Sequence, residues 1–320
     1  MSREPISVVI AARDAAATLP RTLACLAAQE NAPQFEVIVV DDGSTDATAE
    51  IARSAAPLVR FVQTEGVGSG QARNLGVQEA DGELIAFTDA DCFPTRGWLA
   101  AMCRIEGADL VAGAVAPDPT TPLGAFDRTV WVERETGLYE TANLLIRRDV
   151  FEQIGGFEPW LSSNGRKRGW TNPELAEDVW LGWRARRAGA RSAFAPDALV
   201  HHAVHSRGAG GYLSERQRAR YFPALAARVP ELRDQFFYRR VFLSRRTAMF
   251  DAAVAGAAAA ALAGTPLPLI AAAPYARHLA KRARPFRRRA PLVAAVEVAA
   301  DAVSVGSLVY GSVRNRSPVL

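Results

Sequence analysis

Asp89-Ala90-Asp91 places two carboxylates one residue apart, directly after the apolar run Leu84–Thr88. At the end of a strand, such a pair can hold a hard divalent cation, which takes oxygen ligands. A cation held there stabilises the negative charge that develops on a departing diphosphate. On its own the triplet is also the form of a cap or a surface turn. Asp41-Asp42 closes a second apolar run, and Glu177-Asp178 opens a helical pattern, where acidic residues suit the positive end of the helix dipole. Three of the four histidines cluster at His201, His202 and His205. Imidazoles there can ligate an ion or simply pack. Neighbouring side chains of an extended segment point to opposite faces, so His201 and His202 cannot easily both reach one ion.

The elements that must position these groups follow from hydrophobic periodicity. Residues 6–11 read as a buried strand, about 18–29 as a helix, and 35–40 as a second strand stopping at Asp41-Asp42-Gly43-Ser44. Ser44 or Thr45 is expected to cap the helix that runs on to Ala55. A short strand at 59–63, a flexible loop at 66–70, a helix at 71–79 and a strand at 84–88 follow. Further on come a strand at 142–147, a helix start at 148–154, a loop at 165–172, and a helix at 177–188 closed by Gly189. Short extended pieces lie at 192–195 and 198–201. Strands alternating with helices predict an α/β fold with a mostly parallel sheet covered on both faces. In such sheets ligands bind beyond the carboxyl ends of the strands, where both acidic clusters fall.

Charge divides the chain. Residues 239–320 hold thirteen Lys and Arg against three acids, a net +10, and residues 1–238 carry −6. The basic part also contains an uncharged Ala-rich run at 252–273, a basic run at 281–289 and a second apolar helix candidate at 291–313. Two partners of different character are therefore expected. Cys25, Cys92 and Cys103 show neither metal-ligand spacing nor a disulfide framework, which suits a reducing cytosol, and no signal peptide is read before Ile6. Gly66-Val67-Gly68-Ser69-Gly70 resembles a dinucleotide loop only superficially, because no acidic residue follows at the required distance.

Several blocks, taken together in order and spacing, resemble family 2 glycosyltransferases over about residues 5–205. They are Ile6–Ala12, Val39–Asp46 with its Asp-Asp-Gly-Ser core, Ala72-Arg73-Asn74-Leu75-Gly76, Ala86–Asp91, Ala142–Arg148, Gly155-Gly156-Phe157 and Glu177–Leu181. The resemblance implies a GT-A fold (Rossmann-like), a nucleotide-diphosphate-sugar donor linked to UDP, GDP or dTDP, a Mg²⁺ or Mn²⁺ ion, and inverting transfer to an acceptor hydroxyl. Carried over by position, Ala11 and Ala12 would meet the nucleotide through the backbone and Asp42 would bind its base. Asp89 would lie near the ribose or the metal waters. Asp91 would bind the metal, with His202, or alternatively His201, as a further ligand. Arg73 would help the phosphates, or equally brace the loop through Asp89 or Asp91. Asp178 would be the general base, with Glu177 pointing elsewhere on its helix. Trp160, Trp170, Trp180 and Trp183 flank the presumed acceptor side, where they stack on sugars or pack. The Gln-x-x-Arg-Trp pattern of processive synthases is missing, which implies single addition.

The expected organisation is a catalytic domain at 1–210 and a helical extension at 211–320. Pro266 and Pro268 interrupt the first apolar run, and Glu297, Asp301 and Ser304 stripe the second, so the extension reads as monotopic rather than spanning. An anionic membrane surface at the inner face of the cell membrane is its expected partner; a packed cap or an oligomer contact is the alternative. No nucleic acid is expected. Two rival functions are a catalytically inactive sugar-nucleotide-binding subunit and a nucleotidyltransferase. The latter needs a Gly-rich phosphate loop after the first strand, where Ala11-Ala12-Arg13-Asp14 offers none.

Overall fold

The computed structural model describes residues 4–158 and 176–320. The chain forms two compact units, one of residues 1–122 and 129–204, the other of residues 123–128 and 205–320. The 165–172 loop, Trp160 and Trp170 lie outside the described residues.

The first unit is built on an eight-stranded sheet in the order β3-β2-β1-β4-β7-β6-β8-β5. Strands β1 (Ile6–Ala12), β2 (Phe35–Asp42), β3 (Val59–Thr64) and β4 (Leu84–Thr88) run parallel to one another. Their near-continuous Val, Ile and Ala runs suit strands buried on both faces. Helices α1 (Leu19–Ala27), α2 (Thr48–Ser54) and α3 (Ser69–Gln78) alternate with them. Leu19, Leu23 and Leu26 recur at helical spacing and are all buried. Gly76 lets α3 lie so close to the sheet that a Cβ there would overlap Val9 and Val40.

The other half of the sheet is mixed, and the sheet as a whole keeps the expected parallel majority, four of its seven strand pairs. It contains β5 (Cys92–Pro94), β6 (Leu110–Pro117), β7 (Asn143–Arg147) and β8 (Ser192–His202). Strand β7 is antiparallel to both β4 and β6, β6 and β8 are parallel, and β5 is antiparallel to β8. The two extended pieces near 192 and 198 are thus one strand, whose pairing with β6 shifts register between Gly113 and Ala114. Asn143 fills that irregularity: its Nδ2 donates to the Ala114 and Ala198 carbonyls at 2.7 Å each, and its Oδ1 accepts from Trp98 Nε1 at 2.7 Å. Helices α4 (Trp98–Met102), α5 (Arg148–Gln153) and α6 (Glu177–Arg187) complete the unit. Helix α6 ends as expected at Gly189 (φ +101°), where the Gly189 and Ala190 amides donate back to Arg186 and Ala185.

The expected cap of α2 is corrected. Asp46 Oδ1 accepts from the Thr48 amide at 3.0 Å, while Ser44 and Thr45 are committed to Asp14. The residues that look like caps in sequence instead tie the loop after β1 to the loop after β2.

The second unit is helical: α7 (Ala209–Arg216), α8 (Phe222–Arg228), α9 (Leu232–Gln235), α10 (Arg245–Ala263), α11 (Ala273–Ala283) and α12 (Ala290–Asn315), with 3-10 turns at Gln217–Tyr221, Leu267–Ala272 and Arg284–Arg289. The polar stripe of α12 faces inward. Glu297 and Asp301 are buried, and Arg246 of α10 bridges them at 2.6 and 2.8 Å. Tyr212 and Tyr275 donate to Glu297 and Asp301 at 2.7 and 2.6 Å. Helix α10 and the helical stretch Leu267–Asn315 are long and apolar enough to cross a membrane, with mean hydropathies of 1.2 and 1.8.

Candidate active site

The first unit gathers its acidic residues at the carboxyl ends of β1, β2 and β4. Ala11 and Ala12 end β1, paired in register with Val40 and Asp41. Asp42 ends β2 and is buried. Its carboxylate is already engaged by one loop: Thr64 Oγ1 and the Val67 amide donate to Oδ1 at 2.6 Å each, and the Gly68 amide donates to Oδ2 at 2.9 Å. Asp42 therefore shapes the Gly66–Gly68 loop. Gly66 and Gly68 have φ of +86° and +94°, a backbone that favours glycine.

Arg73, on α3, is buried between two acids. Its Nη2 donates to Asp89 Oδ1 and its Nη1 to Glu177 Oε1, both at 2.7 Å. Ser69 Oγ donates to the same Glu177 oxygen at 2.6 Å. Of the two roles sequence left open for Arg73, this geometry supports the brace. It also corrects the expectation that Glu177 points elsewhere: Glu177 anchors α6 to α3. Its Oε2 is buried with no hydrogen bond among the described residues, as is Arg73 Nε.

Asp178 follows Glu177 in the first turn of α6, and its Oδ1 accepts from the Val179 amide at 2.8 Å. Burial pushes the Asp178 carboxyl up to about 7, with the Glu140 and Glu177 carboxylates adding to the rise. Burial also raises the Glu140 carboxyl. One helical turn beyond Asp178, Gly182 packs so tightly on Tyr139 that a Cβ would overlap its ring, and Trp183 Nε1 donates to the Gly137 carbonyl at 2.9 Å. These contacts clamp α6 onto the 137–140 segment, which brings Glu140 toward Asp178. Trp183 therefore packs. Trp180 lies under the guanidinium groups of Arg184 and Arg187, 6.0 and 5.6 Å from the ring centroid.

Asp91 and His202 meet at the junction of β4 and β8. The Ala203 amide donates to the Asp91 carbonyl at 2.9 Å, and His202 Nε2 lies 3.6 Å from Asp91 Oδ2. His202 Nδ1 sits 2.7 Å from the Ala203 carbonyl, which can only accept, so Nδ1 carries the proton. The lone pair of Nε2 is thereby aimed at the Asp91 side. Asp91, Cys92 and His202 offer ligand atoms within 4.8 Å of one another. Burial pushes the Cys92 thiol well up, which suits an uncharged packing group more than a ligand for a hard ion. A carboxylate beside an imidazole nitrogen can hold a divalent cation, with further oxygens from a phosphate. His201 pairs with Phe93 in the β5–β8 ladder on the opposite face of the strand.

Comparison with known proteins agrees with this architecture. Residues 7–155 match Glycosyl transferase family 2. The chain is 32% identical over 213 residues to glycosyltransferase AglE of Haloferax volcanii, covering 62% of this chain and 66% of that one. It is 27% identical over 220 residues to the pre-mycofactocin glycosyltransferase of Mycobacterium tuberculosis (63% and 43%), and 32% over 203 residues to the succinoglycan biosynthesis protein ExoU of Rhizobium meliloti (58% of each). The chain thus spans two thirds or less of the length of these relatives. In fold it is similar to the mannosyltransferase PcManGT of Pyrobaculum calidifontis, solved with GDP-Man and Mn²⁺, at a TM-score of 0.64 and 23% identity, covering 95% of this chain and 88% of that one. With the mixed sheet, the acid-bearing strand ends and these matches in hand, residues 7–155 belong to Glycosyl transferase family 2 and the first unit has the GT-A fold.

Proposed function

We propose that this chain moves a single sugar from a nucleotide-diphosphate donor to an acceptor hydroxyl, with inversion at the anomeric carbon. The observation that carries this reading is the pairing of Asp91 with a His202 whose Nδ1 is committed to a carbonyl. That arrangement leaves Nε2 and a carboxylate facing one position. A divalent cation held there would neutralise charge on the leaving diphosphate. In the transfer, Asp178 takes the acceptor hydroxyl proton, the hydroxyl oxygen bonds to the anomeric carbon, and the bond from that carbon to the phosphate oxygen breaks. The nucleoside diphosphate departs with that electron pair. A carboxyl poised near neutrality suits a general base. Ala11 and Ala12 offer backbone groups to the nucleotide, Asp89 lies toward the ribose, and Asp42 and Arg73 fix the loops around it.

The GDP-Man and Mn²⁺ held by PcManGT and the UDP held by Staphylococcus aureus TarS support a GDP- or UDP-linked donor; a dTDP sugar has the same diphosphate. The role of ExoU in succinoglycan biosynthesis supports a glycan acceptor, and a lipid-linked or cell-envelope form of it suits the membrane attachment proposed next. The basic second unit, with its exposed apolar residues, supports attachment to an anionic membrane surface from the cytoplasmic side.

The test is release of nucleoside diphosphate from a panel of UDP-, GDP- and dTDP-sugars with Mn²⁺, with Mg²⁺ and with chelator. One donor is expected to turn over only with cation. If donors stabilise the protein thermally but none turns over, the inactive binding subunit replaces this reading.

A further inference from the structure

From residue 252 to residue 276 the chain has no charged side chain, and from 252 to 296 it has no acid but seven Lys and Arg, all between 277 and 289. The structure folds the uncharged part back on itself. Helix α10 begins at a capping box in which Ser244 accepts from the Thr247 amide, and ends at Gly264 in the left-handed conformation (φ +63°). The 3-10 turn Leu267–Ala272 then returns along α10, and Gly256 allows the approach: a Cβ there would lie within 3.0 Å of the Ala271 methyl. The bend between these elements carries three of the most exposed large apolar residues among those described: Leu262 at 90%, Ile270 at 79% and Leu267 at 77%, the last matched by Val313.

The apolar part of α10, residues 252–263, rises only about 18 Å, well short of the roughly 30 Å of a bilayer's hydrocarbon core. Arg246, in its first turn, is held by the buried acids of α12 and stays with the folded unit. Although the whole helix passes the length and hydropathy criterion for a span, its uncharged part and the anchored Arg246 favour a shallow contact over a crossing. A soluble surface does not leave three large aliphatic side chains open on one bend without a partner. The adjoining basic run matches an anionic headgroup layer.

We infer that the bend Leu262–Ile270 is a shallow membrane anchor, entering the acyl region of an anionic leaflet while the arginines of residues 284–289 remain on its headgroups. This deepens the membrane reading above and rests on it. It narrows the contact from the helical extension as a whole to one leucine- and isoleucine-tipped bend.

The test uses the full chain with vesicles of phosphatidylcholine containing phosphatidylglycerol. The wild type is expected to co-sediment at low salt, and to bind more weakly but measurably at about 0.5 M salt, because screening removes only the electrostatic part. The triple variant Leu262→Glu/Leu267→Glu/Ile270→Glu is expected to lose binding by about tenfold or more while keeping its helicity and donor turnover, since these side chains are solvent-exposed. Arg287→Glu/Arg288→Glu/Arg289→Glu should weaken binding at low salt only. If the bend variant binds like the wild type, insertion is overturned and charge alone holds the protein. If the wild type ignores the vesicles, the membrane reading itself falls. If the bend variant instead dissolves an oligomer in the absence of vesicles, a second copy is the occupant and the inference falls.

Discussion

Arg73 donates to Glu177 at 2.7 Å across 104 residues of sequence, inside a buried pocket that also holds its bond to Asp89. The acid-rich turn after β4 and the helix that carries Asp178 are thereby tied to one guanidinium. Its planar fork can serve two carboxylates at once, which an ammonium cannot do in the same geometry.

Removing either partner should expose that dependence. Arg73→Met leaves the buried Glu177 facing the half-buried Asp89, and Glu177→Gln leaves a buried cation half-paired. Each is expected to cost about 3–5 kcal/mol in urea unfolding, the usual penalty for stranding one member of a buried pair. Arg73→Lys should recover only part of the loss. A cost below about 1 kcal/mol would show that the brace is not holding the site.

Metal binding should discriminate between adjacent histidines. Asp91→Ala and His202→Ala are each expected to weaken Mn²⁺ binding about 10–100-fold by calorimetry in the presence of nucleoside diphosphate, the range seen when a metal site loses a supporting group. His201→Ala, on the other face of β8, should bind like the wild type. Equal losses at 201 and 202 would refute the assignment.

For Asp178→Asn, kcat should fall about 10²–10⁴-fold with donor affinity kept within a few fold. Parallel loss of donor binding and turnover would make Asp178 a structural helix charge instead of the base.

The raised Asp178 carboxyl has two pH signatures. Transfer needs the ionised form, so kcat/KM should rise with pH and level off above about 7. Stability runs the other way. The unfolded carboxyl ionises near its usual value of about 4, while the folded one keeps its proton to about 7. Stability contributed by this group is therefore complete below about 4 and declines as pH rises from there through 7. Asp178→Asn should accordingly raise Tm at pH 8 and change it little at pH 4. Glu140→Gln, by removing a neighbouring negative charge, should shift the rising limb of activity to lower pH. A pH–rate profile unchanged by Glu140→Gln would place that residue away from the base.

The parallel half of the sheet was legible because β1, β2 and β4 are strongly apolar runs and β2 and β4 lead directly into acids. Strand β6 and helix α4 were not. Leu110–Pro117 is mostly Ala, Gly and Val without alternation, and Trp98–Met102 is only a little over one helical turn, so neither carries a period to detect. The acids were singled out by the ordered blocks around them, since the spacing alone does not separate a site from a cap or a turn. The role of Glu177 was not, since nothing local signals that a helix-start acid will meet an arginine on another helix. The inward turn of Glu297 and Asp301 was hidden for the same reason: their partner, Arg246, sits about fifty residues away.

Residues 123–128 belong to the helical unit although both flanking segments belong to the sheet unit. The Arg128 carbonyl accepts from the His205 amide, the Phe126 carbonyl from Arg207, and the Ala125 carbonyl from Arg282. During synthesis this hexapeptide leaves the ribosome nearly eighty residues before the first of those partners exists. The helical unit is then completed around a piece made long before. Its folding is necessarily a late, non-local event, and a gene fragment stopping after residue 204 would leave the hexapeptide with unanswered carbonyls. The helical unit is not one uninterrupted stretch, so dissecting the tail calls for point substitutions, or for a permuted chain that carries the hexapeptide along.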